Sequence, residues 1–512
     1  MPSSFNLSES GWVPVHDLDT DTYREVGLRE ALARAHRLRL ELVPGQELAV
    51  LLRVLLAAFD AAAGPGDTAE WQHAWRAETL DAARICAYFD RWAPRFNLYD
   101  PHYPAFQSGH LTECARGPEV LHPSYLMSQT GRQWFARDET GPGGSAVPAP
   151  AAALRLLVLL GYDVSSLKAA PGGGLTYGAP VPPVAGSAHV SVHGHLLLKD
   201  QLLLNLPPQP RAEGDLPVWE RDPAPPAIGK ERQAAGRLDL WTWPARAMRL
   251  RADDDGATVA VAWHDGERLQ SRWESQQALD PLTAWRTPKV RGTIAPAHIV
   301  DQSGLVPPWM GVLLMSSRGG PLVLRHLRAA IERGDVPDDT QLSLAVSAVT
   351  HGTKHQTTIT GIPAASAPIG RAGLWRGTDP RRRDLLAWAA AMPAMAERAM
   401  HRAAAEQELT GFTRGNQVAD PGGTAWSRLL ETVAVAHDPE DLRTSWHRHL
   451  LTYVVRPCME ALPRTSRGHE VKAQVAAETH LRRLAGGPIP TQYATGFASV
   501  APDCSTTGGR QA

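Results

Sequence analysis

The segment Arg95-Phe-Asn-Leu-Tyr-Asp-Pro-His-Tyr-Pro-Ala-Phe-Gln107 carries four aromatic residues and two prolines in thirteen positions. Pro101 and Pro104 favour extended backbone in the residues that precede them, so this segment is not predicted to be helical. It follows a stretch, Leu80–Trp92, in which apolar residues recur at helical spacing. We therefore predict a helix followed by a stiff, irregular aromatic segment whose rings pack into a core.

Length and composition limit the class of protein. The chain has 512 residues, of which 43% are hydrophobic and 21% charged, which predicts a soluble globular protein of two or more domains. No apolar run approaches the ~20 residues of a membrane-spanning helix. The N-terminus has neither the basic start nor the apolar run of a signal peptide. We expect a cytoplasmic protein that makes no membrane contact.

Charge and cysteine content exclude further classes. A formal net charge of −1 predicts no bulk attraction to nucleic acid, so any such binding must depend on local patches. The cationic residues are 46 arginines and six lysines, and the planar guanidinium group suits bidentate contacts with phosphate. The four cysteines include no pair at CxxC spacing, which argues against a zinc ribbon and against a disulfide framework.

Apolar periodicity predicts several elements of an N-terminal region. Leu48–Phe59 repeats apolar residues at i, i+3, i+4 and i+7, as an amphipathic helix does. Gly194–Leu206 is strongly apolar and fits either a buried helix or a strand. Thr258–Trp263 and Arg268–Trp273 flank the turn signal Asp265-Gly266, which predicts a β-hairpin.

A long segment without apolar periodicity, Ser108–Pro150, interrupts this region. Loops of this length inside a domain are commonly functional or disordered. Its middle, Gly131-Arg-Gln-Trp-Phe-Ala-Arg-Asp138, sets two adjacent aromatic residues between two arginines. The cluster fits a nucleic-acid contact by base stacking and phosphate pairing, and it also fits a loop held against its own domain.

Two further segments have the character of exposed turns. Lys168–Gly178 contains three consecutive glycines, which permit close approach of a ligand backbone but lack the Gly-Lys-Ser/Thr ending of a phosphate-binding P-loop. A plain flexible turn is the alternative. Val349–Ile359 flanks a polar tip with β-branched residues, as a hairpin that presents its turn does.

The composition changes beyond Ile362–Gly370, a segment interpreted as a linker. Four helical segments are predicted after it: Arg382–Leu409, Thr424–His437, Pro439–Leu462 and His469–Leu484. The predicted fold class is α+β, with a large mixed α/β N-terminal domain, 1–362, followed by a C-terminal four-helix bundle, 371–490. Residues 491–512 are predicted to be a disordered tail.

A search for catalytic chemistry finds no complete constellation. The HExxH, GxSxG and GxGxxG motifs are absent. His-Asp pairs at His264-Asp265 and His437-Asp438 make a metal-dependent hydrolase the alternative function, but the further ligands that such an enzyme needs at helical spacing are missing.

Three histidines, His189, His193 and His195, alternate as on one face of a strand. The nearest carboxylate, Asp200, lies beyond an apolar run, and no cysteine is close. We interpret these histidines as part of a surface or core face, so that no catalytic residue, metal or other cofactor is predicted.

Several short motifs occur together in a fixed order. They are Phe5-Asn-Leu with Trp12-Val-Pro-Val15, Leu28-Arg-Glu-Ala-Leu32, Phe96-Asn-Leu-Tyr-Asp-Pro with Pro104-Ala-Phe-Gln107, Leu202-Leu-Leu-Asn-Leu206, Pro217-Val-Trp-Glu220, Leu240-Trp-Thr-Trp-Pro-Ala-Arg246 and Asp280-Pro281. In this combination the chain resembles the CasA family, the large subunit of the type I-E CRISPR surveillance complex Cascade. The linker and the predicted helical bundle fit the same family.

The resemblance implies a function that the motif search does not supply. Subunits of this family read the protospacer-adjacent motif (PAM) in double-stranded DNA, help to open the duplex and recruit a separate helicase–nuclease, without cutting DNA themselves. The implied partners are the other Cascade subunits, the CRISPR RNA (crRNA), double-stranded target DNA and the helicase–nuclease. Sequence is read mainly by base pairing with the crRNA, and the protein reads a short motif and shape.

The resemblance also assigns functional residues. The family's glycine loop beside the PAM corresponds to Gly172, Gly173 and Gly174. Its glutamine wedge, which lies at a hairpin tip, corresponds to Gln356, with Lys354 beside it as a phosphate contact.

Two more assignments follow from the same resemblance. The family's flexible loop that contacts the crRNA 5′ handle corresponds to Arg132–Asp138, with Arg132, Phe135 and Arg137 as its contacts. The family's lysine finger falls near Arg268, where this chain has an arginine in place of the lysine. The metal-binding cysteine cluster of some relatives is missing from this chain, so the resemblance implies no metal here.

Overall fold

The computed structural model describes most of the chain up to residue 377. Described are residues 4–114, 116–121, 146–163, 167–169, 175–177, 189–222, 231–269, 280–283, 285–286, 295–296, 321–348, 350–351, 359–361 and 364–377, with the isolated residues 444, 445, 448, 452, 475 and 479. The chain divides into two compact units: unit 1 comprises 1–300 and 345–365, and unit 2 comprises 301–344 and 366–512.

The described residues form both helices and strands, so the mixed helix-and-sheet class is confirmed. The helices are α1 Leu28–Ala33, α2 Gln46–Ala63, α3 Thr68–Arg76, α4 Ala82–Trp92, α5 Ala149–Tyr162, α6 Leu198–Asn205, α7 Arg237–Trp241 and α8 Leu322–Arg333. The strands are β1 Val13–Asp17, β2 Thr22–Val26, β3 Leu38–Leu40, β4 Leu167–Ala169, β5 Leu175–Tyr177, β6 His189–His193, β7 Glu231–Arg232, β8 Arg246–Ala252, β9 Thr258–Asp265, β10 Arg268–Leu269, β11 Trp285–Arg286, β12 Ala295–Pro296, β13 Gln341–Ser347, β14 Thr350–His351, β15 Ile359–Gly361 and β16 Ala364–Arg371.

Helix α2 occupies the centre of unit 1. Its predicted apolar face is buried, but Ala49, Val50 and Val54 on the other side are buried too, so the expected amphipathic character is wrong. The cause is that α1, α4, α5, α6 and α7 all pack against it. A helix enclosed in this way needs apolar residues around its whole circumference.

Buried ion pairs join the surrounding elements to one another. The Arg237 guanidinium donates to both carboxylate oxygens of Asp60 at 2.6 Å, which links α7 to α2. The Nε of Arg246 donates to Asp163 at 2.5 Å, which links β8 to the end of α5. Because both members of each pair are shielded from water, these contacts impose strict geometric requirements on the fold.

The first antiparallel sheet has the strand order β2–β1–β3. Alternate residues of β1, which are Val13, Val15 and Asp17, are buried, as expected for a strand with one face on the core. The buried carboxylate of Asp17 accepts hydrogen bonds from Arg24 on β2 and from Arg34 after α1. Asp17 thereby ties the sheet to the first helix.

Replacing Asp17 by Asn should lower stability at pH 7 and flatten its dependence on acid pH. Hydrogen bonds from Arg24 and Arg34 outweigh burial and lower the pKa of Asp17 from 3.8 to about 2. A lowered pKa stabilises the fold above the unfolded-state pKa, and this stabilisation is lost as the pH falls from about 4 through about 2. Urea unfolding midpoints at pH 7, 4 and 3 test this, and parallel pH curves for wild type and variant would contradict it.

The aromatic segment packs largely as predicted. It begins in a 3₁₀ turn, Ala93–Phe96, and Phe96 and Phe106 are buried against Trp219 with ring centroids 5.2 and 5.6 Å from the indole. The Tyr99 hydroxyl lies 2.9 Å from the hydroxyl oxygen of Thr258. Tyr103 is 45% exposed, so its predicted burial is wrong: the turn that Asp100 stabilises by accepting from the backbone N–H groups of residues 102 and 103 directs this ring outward.

Two ambiguous or incorrect assignments are resolved by the structure. Gly194–Leu206 contains a helix, α6, whose apolar residues are buried on all sides. The hairpin predicted around Asp265-Gly266 is wrong, because β9 pairs antiparallel with the preceding strand β8 across the turn Asp253–Gly256. Strand β10 instead pairs parallel with β7.

The described residues of unit 2 lie mainly in 321–344 and 366–377. Helix α8 ends at Gly334, which adopts left-handed backbone with φ +78°, as glycine readily does. The Arg376 side chain donates to the carbonyls of Ile331 and Val336, which holds the Ala372–Trp375 turn against the end of α8. The expected linker Ile362–Gly370 is wrong in large part, because β16 begins at Ala364; proline is compatible with a strand where no ladder donor is needed.

The four-helix bundle predicted over 371–490 and the predicted tail 491–512 fall almost wholly outside the described residues, so both stay predictions. Within the part of the chain that is described, no single helix is long and apolar enough to cross a membrane, although α2 and α3, bent by 104° at their junction, pass that test of length and composition as a pair.

Candidate nucleic-acid interface

The glycine run belongs to the connection of a short hairpin. Strands β4 and β5 pair antiparallel with Ala169 opposite Leu175, so Gly172, Gly173 and Gly174 are part of the five-residue connection between them. The connection itself lies outside the described residues. Its position between paired strands agrees with the turn that the sequence predicts.

The segment that contains Gln356 is also carried by a hairpin. Strands β14 and β15 pair antiparallel, with Thr350 opposite Gly361 and His351 opposite Ile359. The hairpin predicted for Val349–Ile359 is therefore confirmed in its strands. Lys354 and Gln356 lie in the connecting residues, which are outside the described part of the chain.

The loop that carries Arg132, Phe135 and Arg137 is outside the described residues, but both of its ends are described. On the N-terminal side, the backbone N–H and carbonyl of Arg116 bond to those of Val261 at 3.2 and 2.9 Å. On the C-terminal side, Val147 bonds in the same reciprocal way to Thr258 at 2.9 and 2.7 Å. Both ends are thus fixed to strand β9, three residues apart.

Strand β9 also lies beside the glycine hairpin, because β4 and β5 both pack against it. One strand therefore positions the base of the glycine hairpin and both ends of the aromatic–arginine loop. No motif or periodicity in the sequence predicts this arrangement. The one local feature that points to it is the apolar character of β9, in which Val261 and Trp263 are buried, as expected for an interior strand.

Arg268 lies just beyond the end of β9. The backbone between β9 and β10 passes close to Pro244. A Cβ at Gly266 would lie 2.1 Å from the Pro244 carbonyl oxygen, and the Glu267 N–H donates to that oxygen at 2.9 Å. The glycine is required by this close approach. Arg268 is half-buried, and its Nε–H has no hydrogen-bond partner among the described residues. The nitrogen is itself buried, so this N–H is not accessible to an acceptor that approaches from solvent.

Carboxylates next to Arg268 are already occupied by other arginines. Glu267 accepts from Arg221 at 2.9 Å and from Arg232 Nε at 2.6 Å, and Asp239 accepts from Arg221 at 3.0 Å. The guanidinium of Arg232 also stacks on the Trp243 ring, with Cζ 3.8 Å from the centroid. This network neutralises its own charges and leaves the charge of Arg268 uncompensated by Glu267.

The candidate metal ligands do not converge. Among the described residues, no group of three His, Cys, Asp or Glu side chains is arranged to hold a metal ion. His189 on β6 is fully buried, and burial, aided by the charge of Arg53, lowers its pKa to about 3, so it is neutral at pH 7. His193 is partly buried, and its Nδ1 lies 3.4 Å from the Gln201 amide nitrogen.

The first His-Asp pair differs from its predicted position. His264 and Asp265 end strand β9 and are not in a hairpin turn, because the turn of that hairpin is Asp253–Gly256. His437-Asp438 lies outside the described residues.

Comparison with known proteins gives the chain a family. The family model described as CRISPR-associated protein Cse1 matches residues 6–456. The chain belongs to the Cse1 family. A curated relative, the CRISPR-associated protein CasA/Cse1 of Thermus thermophilus, is 34% identical over 369 residues, an alignment that spans 65% of this chain and 65% of the relative's length. The resemblance to the CasA family found in the sequence is thereby confirmed.

Solved structures of Cse1 proteins share this fold. A CRISPR-associated protein from T. thermophilus superposes with a TM-score of 0.73 at 24% identity, covering 94% of this chain and 99% of its own. A chain from a structure described as a CRISPR RNA-guided surveillance complex superposes with a TM-score of 0.68 at 19% identity, covering 94% of this chain and 100% of its own. At these identities the likeness establishes the fold of this Cse1-family chain.

Proposed function

We propose that this chain is the large, non-catalytic subunit of a type I-E CRISPR Cascade surveillance complex. In this role it recognises the PAM in double-stranded DNA, helps to open the duplex for crRNA pairing and recruits the helicase–nuclease. The observation that carries the proposal is the family match, which extends over residues 6–456. A Cse1-like chain within a solved RNA-guided surveillance complex supports the same role.

The arrangement around β9 supports a nucleic-acid role in particular. The base of the glycine hairpin, the ends of the loop with Arg132, Phe135 and Arg137, and Arg268 all lie on or next to this strand. Glycines suit close approach to a DNA groove, and an aromatic residue between arginines suits stacking and phosphate contact. We propose that this side of unit 1 faces the PAM and the crRNA 5′ handle.

The alternative, a metal-dependent hydrolase that uses the His-Asp pairs, is favoured by no observation. His264 and Asp265 end a strand, and the described residues bring no further ligands to them. We propose a cytoplasmic protein whose partners are the other Cascade subunits, the crRNA, target DNA and the helicase–nuclease.

Co-expression with the other Cascade subunits and a crRNA tests the proposal. The chain should co-purify with them in one ribonucleoprotein complex, and adding it should increase binding of a target duplex that carries the correct PAM. A chain that purifies alone under these conditions, or that carries one tightly bound transition metal per molecule, would contradict the proposed role. Metal content is read by plasma mass spectrometry on the same preparation.

Replacing Gly173 by Asp should weaken binding of the assembled complex to PAM-bearing duplex by about tenfold or more, because like charges brought together at an interface cost several kcal/mol. Assembly should be unaffected, since the substitution falls in a hairpin connection. A gel-shift titration measures the loss. The matched control is Gly45→Asp, which adds the same side chain before α2, where a Cβ would meet only the Val43 carbonyl at 3.8 Å, an ordinary contact distance. Wild-type affinity for Gly173→Asp would contradict the assignment.

A further inference from the structure

One surface of unit 1 combines an exposed and a partly buried arginine with aromatic rings, and its residues are distinct from those proposed to read the PAM. It consists of Arg91, Trp92, Arg95 and Tyr103, and we name it the arginine–aromatic patch. The Arg91 guanidinium lies over the Trp92 ring, with Cζ 5.1 Å from its centroid. The Arg95 guanidinium lies over the Tyr103 ring, with Cζ 4.2 Å from its centroid.

Three of the four patch residues, Arg91, Trp92 and Arg95, lie at the end of α4 and in the turn that follows it. Ala93, the residue that caps α4, keeps helical dihedrals with φ −46° and ψ −41°, and a 3₁₀ turn follows directly. Trp92 has φ −104° and ψ 1°, so Arg91 and Arg95 lie four residues apart across the change from α-helix to 3₁₀ turn. Phe89 and Phe96, on the same two elements, are buried in the core with ring centroids 5.4 Å apart, which fixes the patch to a rigid base.

The charges of this patch are less compensated than those of other arginines nearby. Arg24, Arg29 and Arg34 each contact two or more carboxylates within 3.3 Å. Within the described part of the chain, Arg91 has no carboxylate within 4 Å. Arg95 has only Asp222, at 3.5 Å, and that carboxylate is fully exposed, so the pair is weak.

The ring of Tyr103 is not part of the core. Tyr103 is 45% exposed and contacts Arg95, and only its backbone N–H is held, by Asp100. In the same segment Phe96 and Phe106 fill the core. An exposed aromatic ring with a guanidinium over it offers the kinds of surface on which bases stack.

We propose that the arginine–aromatic patch binds single-stranded nucleic acid. Unpaired bases stack on aromatic rings and on arginine guanidinium planes, and the same arginines pair with phosphates. Of the large hydrophobic side chains exposed among the described residues, only Tyr103 belongs to this patch, the others being Tyr23, Val43 and Val475. The patch lacks the exposed aliphatic area that would favour a protein partner, and its net positive charge complements a phosphate backbone.

Both DNA and RNA single strands carry the chemistry that this patch recognises. The contacts it offers are to base faces and phosphates, with no polar group committed to a 2′-hydroxyl. Binding of a single strand by this patch does not require that the β9 side of unit 1 reads the PAM, so the two proposals are tested separately.

Fluorescence anisotropy with the full chain and labelled 20-nucleotide oligo-dT and oligo-U tests the proposal at low and moderate salt. Replacing Tyr103 by Leu, or Arg91 and Arg95 together by Ala, should weaken binding by about 5- to 100-fold, the range expected for losing one stacked base. Arg95→Lys keeps the charge but loses the planar stack, so it should weaken binding by at least about threefold. Affinity should fall steeply with salt.

The control for lost charge is Arg37→Ala, since Arg37 is exposed and its ion pairs with Asp19 and Glu78 are loose, at 3.8 and 3.5 Å. It should bind both oligonucleotides like the wild type. Thermal melting of each variant should stay within about 5 °C of the wild type, because none of the changed side chains belongs to the buried core. Absence of binding by the wild-type chain, or equal losses in Arg37→Ala and the patch variants, would overturn the proposal. Preference for oligo-dT over oligo-U, or the reverse, decides between DNA and RNA.

Discussion

Replacing Arg53 by Met should lower the free energy of unfolding by about 3–5 kcal/mol, the cost of leaving one member of a buried ion pair alone. Arg53 lies in the middle of α2, and its guanidinium contacts the carboxylate of Asp280. Both side chains are almost completely excluded from water. The loss is a large share of the roughly 5–15 kcal/mol that stabilises a typical domain.

The surroundings of Asp280 explain why the carboxylate cannot relax. Its Oδ1 accepts from Trp241 Nε1 at 2.9 Å and from the Leu282 N–H at 3.0 Å, and Oδ2 accepts from the Thr283 hydroxyl at 2.7 Å. Burial alone would raise the pKa of Asp280, but the charge of Arg53 and the hydrogen bonds from Trp241 and Leu282 lower it. The group therefore stays ionised at pH 7 and depends on Arg53 for compensation.

A second variant separates the ion pair from simple loss of packing. Arg53→Met combined with Asp280→Asn removes both charges, while the amide oxygen can still accept from Trp241 and Leu282. The double variant should recover at least half of the loss, because a neutral pair of similar volume avoids an isolated buried charge. Urea unfolding of both variants measures this.

Arg37→Met serves as the control for this experiment, since its surface ion pairs should be worth no more than about 1 kcal/mol. If the double variant is as unstable as the single one, the cost arises from lost packing around Arg53 and not from the stranded charge.

The contacts of Asp280 also show the structural role of the family motifs. Asp280 and Trp241, which contact each other, belong to two of the motifs that carry the resemblance. In a third, Asn6 donates from Nδ2 to the Ala93 carbonyl at 2.9 Å, which fixes the chain start to the aromatic segment. The motifs are therefore constraints on packing and hydrogen bonding. They identify the fold well, while the residues proposed to meet nucleic acid lie mostly between them.

Local patterns predicted the elements whose determinants are local. The spacing of apolar residues predicts α2 and α4, and the β-branched residues around a polar tip predict the β14–β15 hairpin. The prediction of the partner of β9 was wrong because two turn signals flank this strand: Asp265-Gly266 and Asp253–Gly256 both suit a hairpin. In the structure β9 pairs with β8, through seven residue pairs. Strand pairing is a property of the assembled sheet, which the local turn signal does not determine.

The candidate site was predictable in its parts and not in its arrangement. Glycines, aromatics and arginines in loops mark possible contacts with nucleic acid, but only the structure shows that Arg116 and Val147 both bond to β9 and that the glycine hairpin packs on the same strand. These contacts join residues far apart in sequence. No window of sequence contains them, so periodicity and turn chemistry cannot predict them.

Deleting the hairpin tip around Gln356, or replacing Gln356 by Ala, should slow opening of a fully paired target by up to about tenfold. The reason rests on the proposed wedge role. A glutamine side chain is long and uncharged, and it carries both donors and acceptors. Inserted beside the PAM, it would occupy the space of the first unpaired step and offset part of the stacking lost there, on average about 1.4 kcal/mol per step. That energy corresponds to about a tenfold change in rate.

The described strands make the tip a suitable place for such a change. Because β14 and β15 pair on either side of it, shortening the connection or truncating Gln356 should leave unit 1 folded and the complex assembled. The decisive comparison uses two targets with the same PAM, one fully paired and one already unpaired next to the PAM, with opening followed by a fluorescent base analogue. The paired target should be slowed and the pre-opened target much less so. Gln341→Ala, the same substitution at an exposed position of β13, should slow neither.

Equal losses on both targets would mean that Gln356 binds DNA without acting as a wedge. No loss on either target would mean that Gln356 is not part of the site.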